Sequence, residues 1–448
     1  MRWKELWYEA MTDNSDNFIE EFTRFLNDRL EAQKRRELQQ RLVVPPELET
    51  VREMARRAIS PIKSADDGDQ AEPSSFRMVR TVAGDKLPPH YLIYFLLVDV
   101  LGFRSVGPYE KMAWSLTIDF EGVRYTIAHV KSGLRLFAQD GKEWEKPARR
   151  IVGLIHRGVS LATPIFRWMA KDAVFASRIN VRNVGRKLFE RYTFFRDIFR
   201  ATAAKVRPLK DTHEAELRQR QFAFHLYSTR LNRNTASLSE LSALFTHSWL
   251  KVSKDTSWLA LAAIEAFFGW TEHVFIHLAI LQGRITTGAE VDVMIEANWG
   301  TKFKKALDVD DKVTKKHFNK LVAIRRQLRN FMSHGAFGKE GEAFSFHSRA
   351  GAVPVAFDRR RARPQFSLSP ELAFDDAEAI KAIEEFISFM WSGTREPARI
   401  YIHESDLPLV LPHATDGTYM AAMASVQTMT EYVDHTVKEW DRAANMDW

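Results

Sequence analysis

Between Asp255 and Leu281 the chain has few ways to fold. Leu261, Ile264, Phe267, Phe268, Val274, Phe275, Leu278 and Ile280 cover most sides of one helix. A helix apolar on most sides must be enclosed by others, so this stretch predicts the centre of a helical bundle. Asp255 or Ser257 is placed to cap its start, and Gln282-Gly283 to end it. Two acids, Glu265 and Glu272, interrupt the apolar surface, seven residues apart and therefore on one side. A buried acid needs a partner.

Other helices are legible on either side of it. Asp308, Asp310 and Asp311 precede a helix whose apolar face is Leu321, Ile324 and Leu328, and Asp375 or Asp376 caps another with Ile380, Ile383, Phe386, Ile387 and Met390. Between these two, Ala343–His347 and Val353–Phe357 read as short strands. They lead into the basic run Arg359, Arg360, Arg361 and Arg363, a candidate to hold RNA phosphates. A last helix is expected near Tyr419 to Trp440.

The N-terminal half reads differently. Residues 1–60 have a helical pattern broken at Pro45-Pro46, residues 63–75 are a polar loop, and residues 88–103 suit a buried helix. Then Trp114–Phe120 alternates, Glu121-Gly122 turns, Val123–Val130 alternates, and Ser132-Gly133 turns into Leu134–Phe137. That predicts a three-stranded antiparallel meander. Helix returns over 145–210, where Arg186–Arg200 interleaves aromatic and basic residues. A Phe face in a core with a basic face in water accounts for that run. At 448 residues the chain exceeds one core. The expected division is an α+β region over 1–210, a helical domain over 211–393, and a helical extension over 394–448.

Charge and composition narrow the class. The chain has 65 basic and 58 acidic residues, net +7, a mild lean toward polyanions. Without cysteine there is no disulfide framework or thiolate zinc site, which fits the cytoplasm. Charges at Arg2, Lys4 and Glu5 stand where a signal peptide needs an apolar core, and no run of 18 consecutive apolar residues occurs. Neither secretion nor membrane insertion is expected.

Three metal readings fail. Asp66, Asp67 and Asp69 lack the rest of a calcium loop. Asp119 and Lys131 have His129 where a metal-dependent nuclease places an acid. His273 and His277 have one-turn spacing, but Val274 stands where a zinc protease places Glu. No metal or other cofactor is expected.

The remaining motif closes the helix that ends near Gly335: Arg329-Asn330-Phe331-Met332-Ser333-His334-Gly335. Arg is a permanent cation whose planar fork suits phosphate. His takes and returns a proton near neutral pH. Five residues apart on an ideal helix they sit about 140° apart, so they converge only if the last turn unwinds at Gly335. Cleaving RNA through its 2′-hydroxyl requires this pair of functions.

At these residues the chain resembles the HEPN family, whose hallmark is Arg-x4–6-His, often with Asn after the Arg. The resemblance covers roughly residues 212–392. It implies a C-terminal HEPN-like helical bundle; with the α+β region and its small antiparallel sheet read ahead of it, the chain is expected to be mainly α. It implies a homodimer with two motif helices facing one another, and a metal-independent endoribonuclease leaving a 2′,3′-cyclic phosphate and a 5′-hydroxyl. His334 would be the base, Arg329 would stabilise phosphate charge, and Asn330 would orient substrate or His334. Glu272 is the expected acid of the preceding helix, partnered by Arg329 or His334. Such enzymes serve as toxins or antiphage effectors cutting tRNA or other cellular RNA, with the N-terminal half as sensor or restraint. The alternative is a non-catalytic module that binds RNA or nucleotide or scaffolds a complex.

Overall fold

The computed structural model describes residues 24, 26, 44–65, 78–139, 143–231, 248–334, 344–348, 351–358, 365–367 and 376–446. The chain is mainly α and falls into two compact units. One comprises Met1–Ile179, Thr287–Ala289 and Thr430–Trp448; the other comprises Asn180–Thr286 and Glu290–Met429.

The first unit is α+β. Its elements are α1 (Glu49–Ala58), β1 (Ile62–Ser64), β2 (Met78–Arg80) and α2 (His90–Tyr94), which widens into a π-helical stretch to Val100. Then come β3 (Met112–Phe120), β4 (Val123–Val130), β5 (Gly133–Gln139) and α3 (Glu145–Phe175). The meander forms as expected, with Ile118 opposite Tyr125 and Ile127 opposite Leu136. Its first turn places Glu121 and Gly122 at φ +56° and +83°, the positive pair a two-residue hairpin needs. Two short strands complete a five-stranded antiparallel sheet in the order β1-β3-β4-β5-β2. Three residues are too few to show a period of two, so neither edge strand was legible beforehand.

The alternate side chains Leu116, Ile118, Phe120, Ile127 and Leu136 form one core with Ile151 and Ile155 of α3 and Leu96 of α2. Gly158 lets α3 approach closely: a Cβ there would lie 2.8 Å from both Ile59 and Leu96 side-chain carbons.

The second unit is built on helices. Its elements are β6 (Asn180–Val181), α4 (Gly185–Leu231), α5 (Ser248–Leu281), α6 (Gly288–Glu296), α7 (Trp299–Ala306) and α8 (Lys312–His334). A three-stranded antiparallel sheet follows, β7 (Phe344–Ser348), β8 (Gly351–Asp358) and β9 (Gln365–Ser367). Next are α9 (Asp376–Met390), α10 (Glu396–Arg399) running into a π-helical turn to Glu404, β10 (Leu409–Val410) and α11 (Thr418–Ala422). A last helix, α12, spans Val426–Asn445 and from Thr430 onward belongs to the first unit. β10 pairs antiparallel with β6.

The apolar stretch behaves as its composition demands. α5 is enclosed by α4, α7, α8 and α9, and Phe267, Trp270, Phe275 and Leu278 are fully buried. It starts at Ser248, earlier than the caps read at Asp255 or Ser257. It ends as expected in a Schellman cap: Gly283, at φ +65°, donates to Ile280 O and Arg284 to Ala279 O. Lys251–Leu281 is the one helix among the described residues long and apolar enough to cross a membrane, and 67% of its most apolar window is buried, the property of a core helix. The boundary read after residue 210 falls inside α4, which runs on to Leu231; the units divide at 179/180 instead.

Candidate functional site

The motif helix α8 is fixed first at its start. Asp311 accepts from the Thr314 backbone N–H at 2.8 Å and from its hydroxyl at 2.9 Å, an N-cap. These bonds hold the Asp311 carboxyl below its usual range. Leu321, Ile324 and Leu328 are buried at 1, 6 and 9% exposure, the face read from sequence.

The helix then continues without interruption through His334. Arg329, Asn330 and His334 therefore all stand on regular helix, with Arg329 and His334 about 140° apart around the axis and about 7.5 Å apart along it. Unwinding before His334 does not occur. The structure describes the backbone of these three residues and not their side chains. Gly335 and Gly338 lie outside the described residues, as do Arg359, Arg360, Arg361 and Arg363, which fall between the paired residues Asp358 and Gln365.

Glu272 is engaged by two cations among the described residues. Its two carboxylate oxygens accept from Lys302 Nζ of α7 and Arg325 Nη2 of α8, each at 3.0 Å. Arg325 precedes Arg329 by one turn on nearly the same side of α8. Sequence marks Glu272 as an acid needing a partner, yet the axial offset between α5 and α8 decides which turn supplies it. The Arg325 guanidinium also lies 5.8 Å from the ring centres of Phe268 and Trp299. Lys302, Arg325 and Trp299 were not singled out from sequence. The only available sign was a lysine on the inner face of an amphipathic helix.

The Lys302 side chain is 7% exposed and that of Glu272 33%. Removing the acid strands a buried ammonium, so Glu272→Ala is expected to cost about 2 kcal/mol, less than a fully buried pair. Glu272→Gln, which keeps an acceptor, is expected to cost less. Urea titration of both variants measures this; equal stability to the parent would mean the triad is only surface decoration.

A second polar centre surrounds the start of α4. The Val184 backbone N–H donates to His273 Nε2 at 3.0 Å, and the Trp270 indole N–H donates to His403 Nε2 at 3.1 Å. The rings of His273 and His277 lie 3.9 Å apart. Both ring nitrogens of His277 face backbone carbonyls, His273 O at 2.9 Å and Arg182 O at 3.1 Å. Burial pushes all three imidazoles down, His273 to about 3 and His277 and His403 to about 4. The structural reading of His273 and His277 fits, because His273 Nε2 and both nitrogens of His277 meet protein groups. Among the described residues no group of three or more His, Asp or Glu is placed to hold a metal ion. The Asn183 amide donates to Tyr401 O and Ile402 O, and its oxygen accepts from Gly185 N–H at 2.9 Å. Beside it opens a cleft of about 450 Å³ lined by Asn180, Arg182, Asn183, Val184, Lys187, Asp406 and Pro408. Arg186 pairs with Asp406 at its edge.

No family model, curated protein or solved structure matches the chain.

Proposed function

We propose that the chain is a metal-independent endoribonuclease of HEPN type. The observation that carries the reading is the motif's placement. Arg329, Asn330 and His334 close a continuous helix whose inner face packs against α5 and α9, and against α7 through Phe318 on Trp299 and Phe303. That helix holds seven Lys and Arg and no Asp or Glu, so the motif sits at the end of a strongly cationic rod.

In this reading His334 takes the proton from a ribose 2′-hydroxyl, and the 2′-oxygen attacks the adjacent phosphorus. The P–O5′ bond breaks, the leaving 5′-oxygen is protonated, and a 2′,3′-cyclic phosphate and a 5′-hydroxyl result. Arg329 stabilises the charge on the phosphate oxygens, and Asn330 orients substrate or base. Glu272, held by Lys302 and Arg325, supports the motif helix from the preceding one. The 140° separation of Arg329 and His334 on one helix favours a composite cleft across a two-fold axis, where two copies supply the groups together. The α+β unit then restrains or triggers the nuclease, as suits a toxin or antiphage effector acting on tRNA or other cellular RNA.

The test is incubation of purified protein with total RNA and tRNA in EDTA, beside His334→Ala. A drop of at least a hundredfold is expected for the variant, matching the lower range of acid–base contributions, with cyclic-phosphate ends from the wild type. Equal cleavage by both proteins would remove His334 as base. RNA binding without cleavage would leave a non-catalytic module.

A further inference from the structure

The charges of α8 are arranged as well as numerous. Its seven cations are Lys312, Lys315, Lys316, Lys320, Arg325, Arg326 and Arg329. Two are paired with acids of neighbouring helices: Lys320 with Glu385 of α9 at 3.2 Å, on the surface, and Arg325 with Glu272 at 3.0 Å. Lys312, Lys315, Lys316 and Arg326 are exposed and hold no ion pair among the described residues.

At about 100° per residue, these four fall within a stripe about 100° wide on the side opposite Leu321 and Leu328. Continued along the same backbone, the stripe passes through the positions of Asn330 and His334. From Lys312 to Arg326 it runs about 21 Å at 1.5 Å per residue, about six phosphates at the 3.4 Å spacing of one nucleic-acid strand. A mononucleotide would cover only a fraction of it. The stripe carries no aromatic side chain on which a base could stack; between its cations lie Asn319 and Ala323.

We propose that the outer face of α8 is a track for the sugar-phosphate backbone of an RNA strand, leading it to the motif at the helix end. The inference rests on the nuclease reading for the identity of the strand. It adds that the substrate is a polymer held through several phosphates without base readout, upstream of the cut. The unpaired cations have a use that the paired ones lack: each phosphate they meet releases counterions, so affinity must fall with salt.

The experiment keeps RNA intact by using His334→Ala as the background. Binding of a 20-nucleotide single-stranded RNA, and of a mononucleotide, is measured between 50 and 200 mM salt. Adding Lys312→Ala, Lys315→Ala, Lys316→Ala and Arg326→Ala together is expected to weaken RNA binding at least tenfold at the upper salt. The slope of log affinity against log salt should fall by about 3, at about 0.7 per lost phosphate contact. Replacing Lys312, Lys315 and Lys316 by Arg instead should leave the slope unchanged, which separates charge from misfolding. Lys320→Ala, whose charge faces Glu385, should leave it unchanged too. An unaltered slope in the quadruple variant overturns the track, even if wild-type protein cleaves RNA. Loss of slope with no cleavage by the wild type keeps the track and removes the nuclease.

Discussion

Lowering the pH from 7.5 to 5 is expected to take about 6 kcal/mol from the second unit, most of the stability of an ordinary domain. Three histidines cause it. In the unfolded chain each binds a proton near pH 6.5. In the folded unit burial holds His273 at about 3 and His277 and His403 at about 4. The unfolded state therefore binds more protons throughout the window from 6.5 to about 4, and stability falls as pH falls through it. At pH 5 each group contributes about 2 kcal/mol of loss, at 1.36 kcal/mol per unit.

Geometry agrees with the sign at two of the three; at His277 the two carbonyl partners favour the charged form and burial outweighs them. His273 Nε2 and His403 Nε2 each accept from an N–H, so a proton on either nitrogen breaks a buried hydrogen bond. Neighbouring charges reinforce it: His277 and His403 oppose a charge on His273, and Arg399 opposes one on His403. Urea unfolding followed by tryptophan fluorescence, at half-unit pH steps, measures the loss. His403→Gln keeps an acceptor near Trp270 but does not titrate, and should recover about a third of it. A flat profile to pH 5 would mean that the histidines are already charged or solvated. In the first unit Asp99 contributes with the opposite sign, because burial raises it to about 6 and its folded form gains protons as pH falls, while burial lowers His129 and His435 and adds loss there.

These histidines also show where sequence reading stops. His273 and His277 were visible as a one-turn pair, but His403 comes from a segment more than a hundred residues away with no pattern marking it. The bundle core was legible because α5 is apolar on most sides, and the meander because Trp114–Val130 alternates around a turn. β1 and β2 were not, since their strand character comes from pairing with β3 and β5 and not from their own residues. The motif was legible as residue types on a helix end. The contact of Glu272 with Arg325 was not, because it depends on how α5 and α8 are offset when packed.

Trp299 packs across α5, α7 and α8 at the level of that contact, and Trp299→Ala is expected to cost about 4 kcal/mol, within the range for removing a buried aromatic. The ring is 1% exposed. It meets Phe268 and Phe303 at 5.3 Å and Phe275 at 5.7 Å, and it stacks within 12° of parallel to Phe318 of α8. Its N–H donates to Thr271 Oγ1 at 2.9 Å, beside Glu272. One side chain thus joins α5, α7 and α8 at the level where Arg325 is held. Trp299→Phe keeps much of the packing and loses the indole hydrogen bond, so it should cost about 1–2 kcal/mol. Both values are read from urea midpoints at pH 7.5, with amide exchange along α8 as the local measure. Faster exchange at Leu321 and Ile324 in the Ala variant, before global unfolding, is the expected sign that α8 has lost its seat. If the helix stays protected while stability drops, the ring supports the bundle but does not place the motif. The offset must then come from the Glu272–Arg325 contact and the apolar face of Leu321, Ile324 and Leu328 alone.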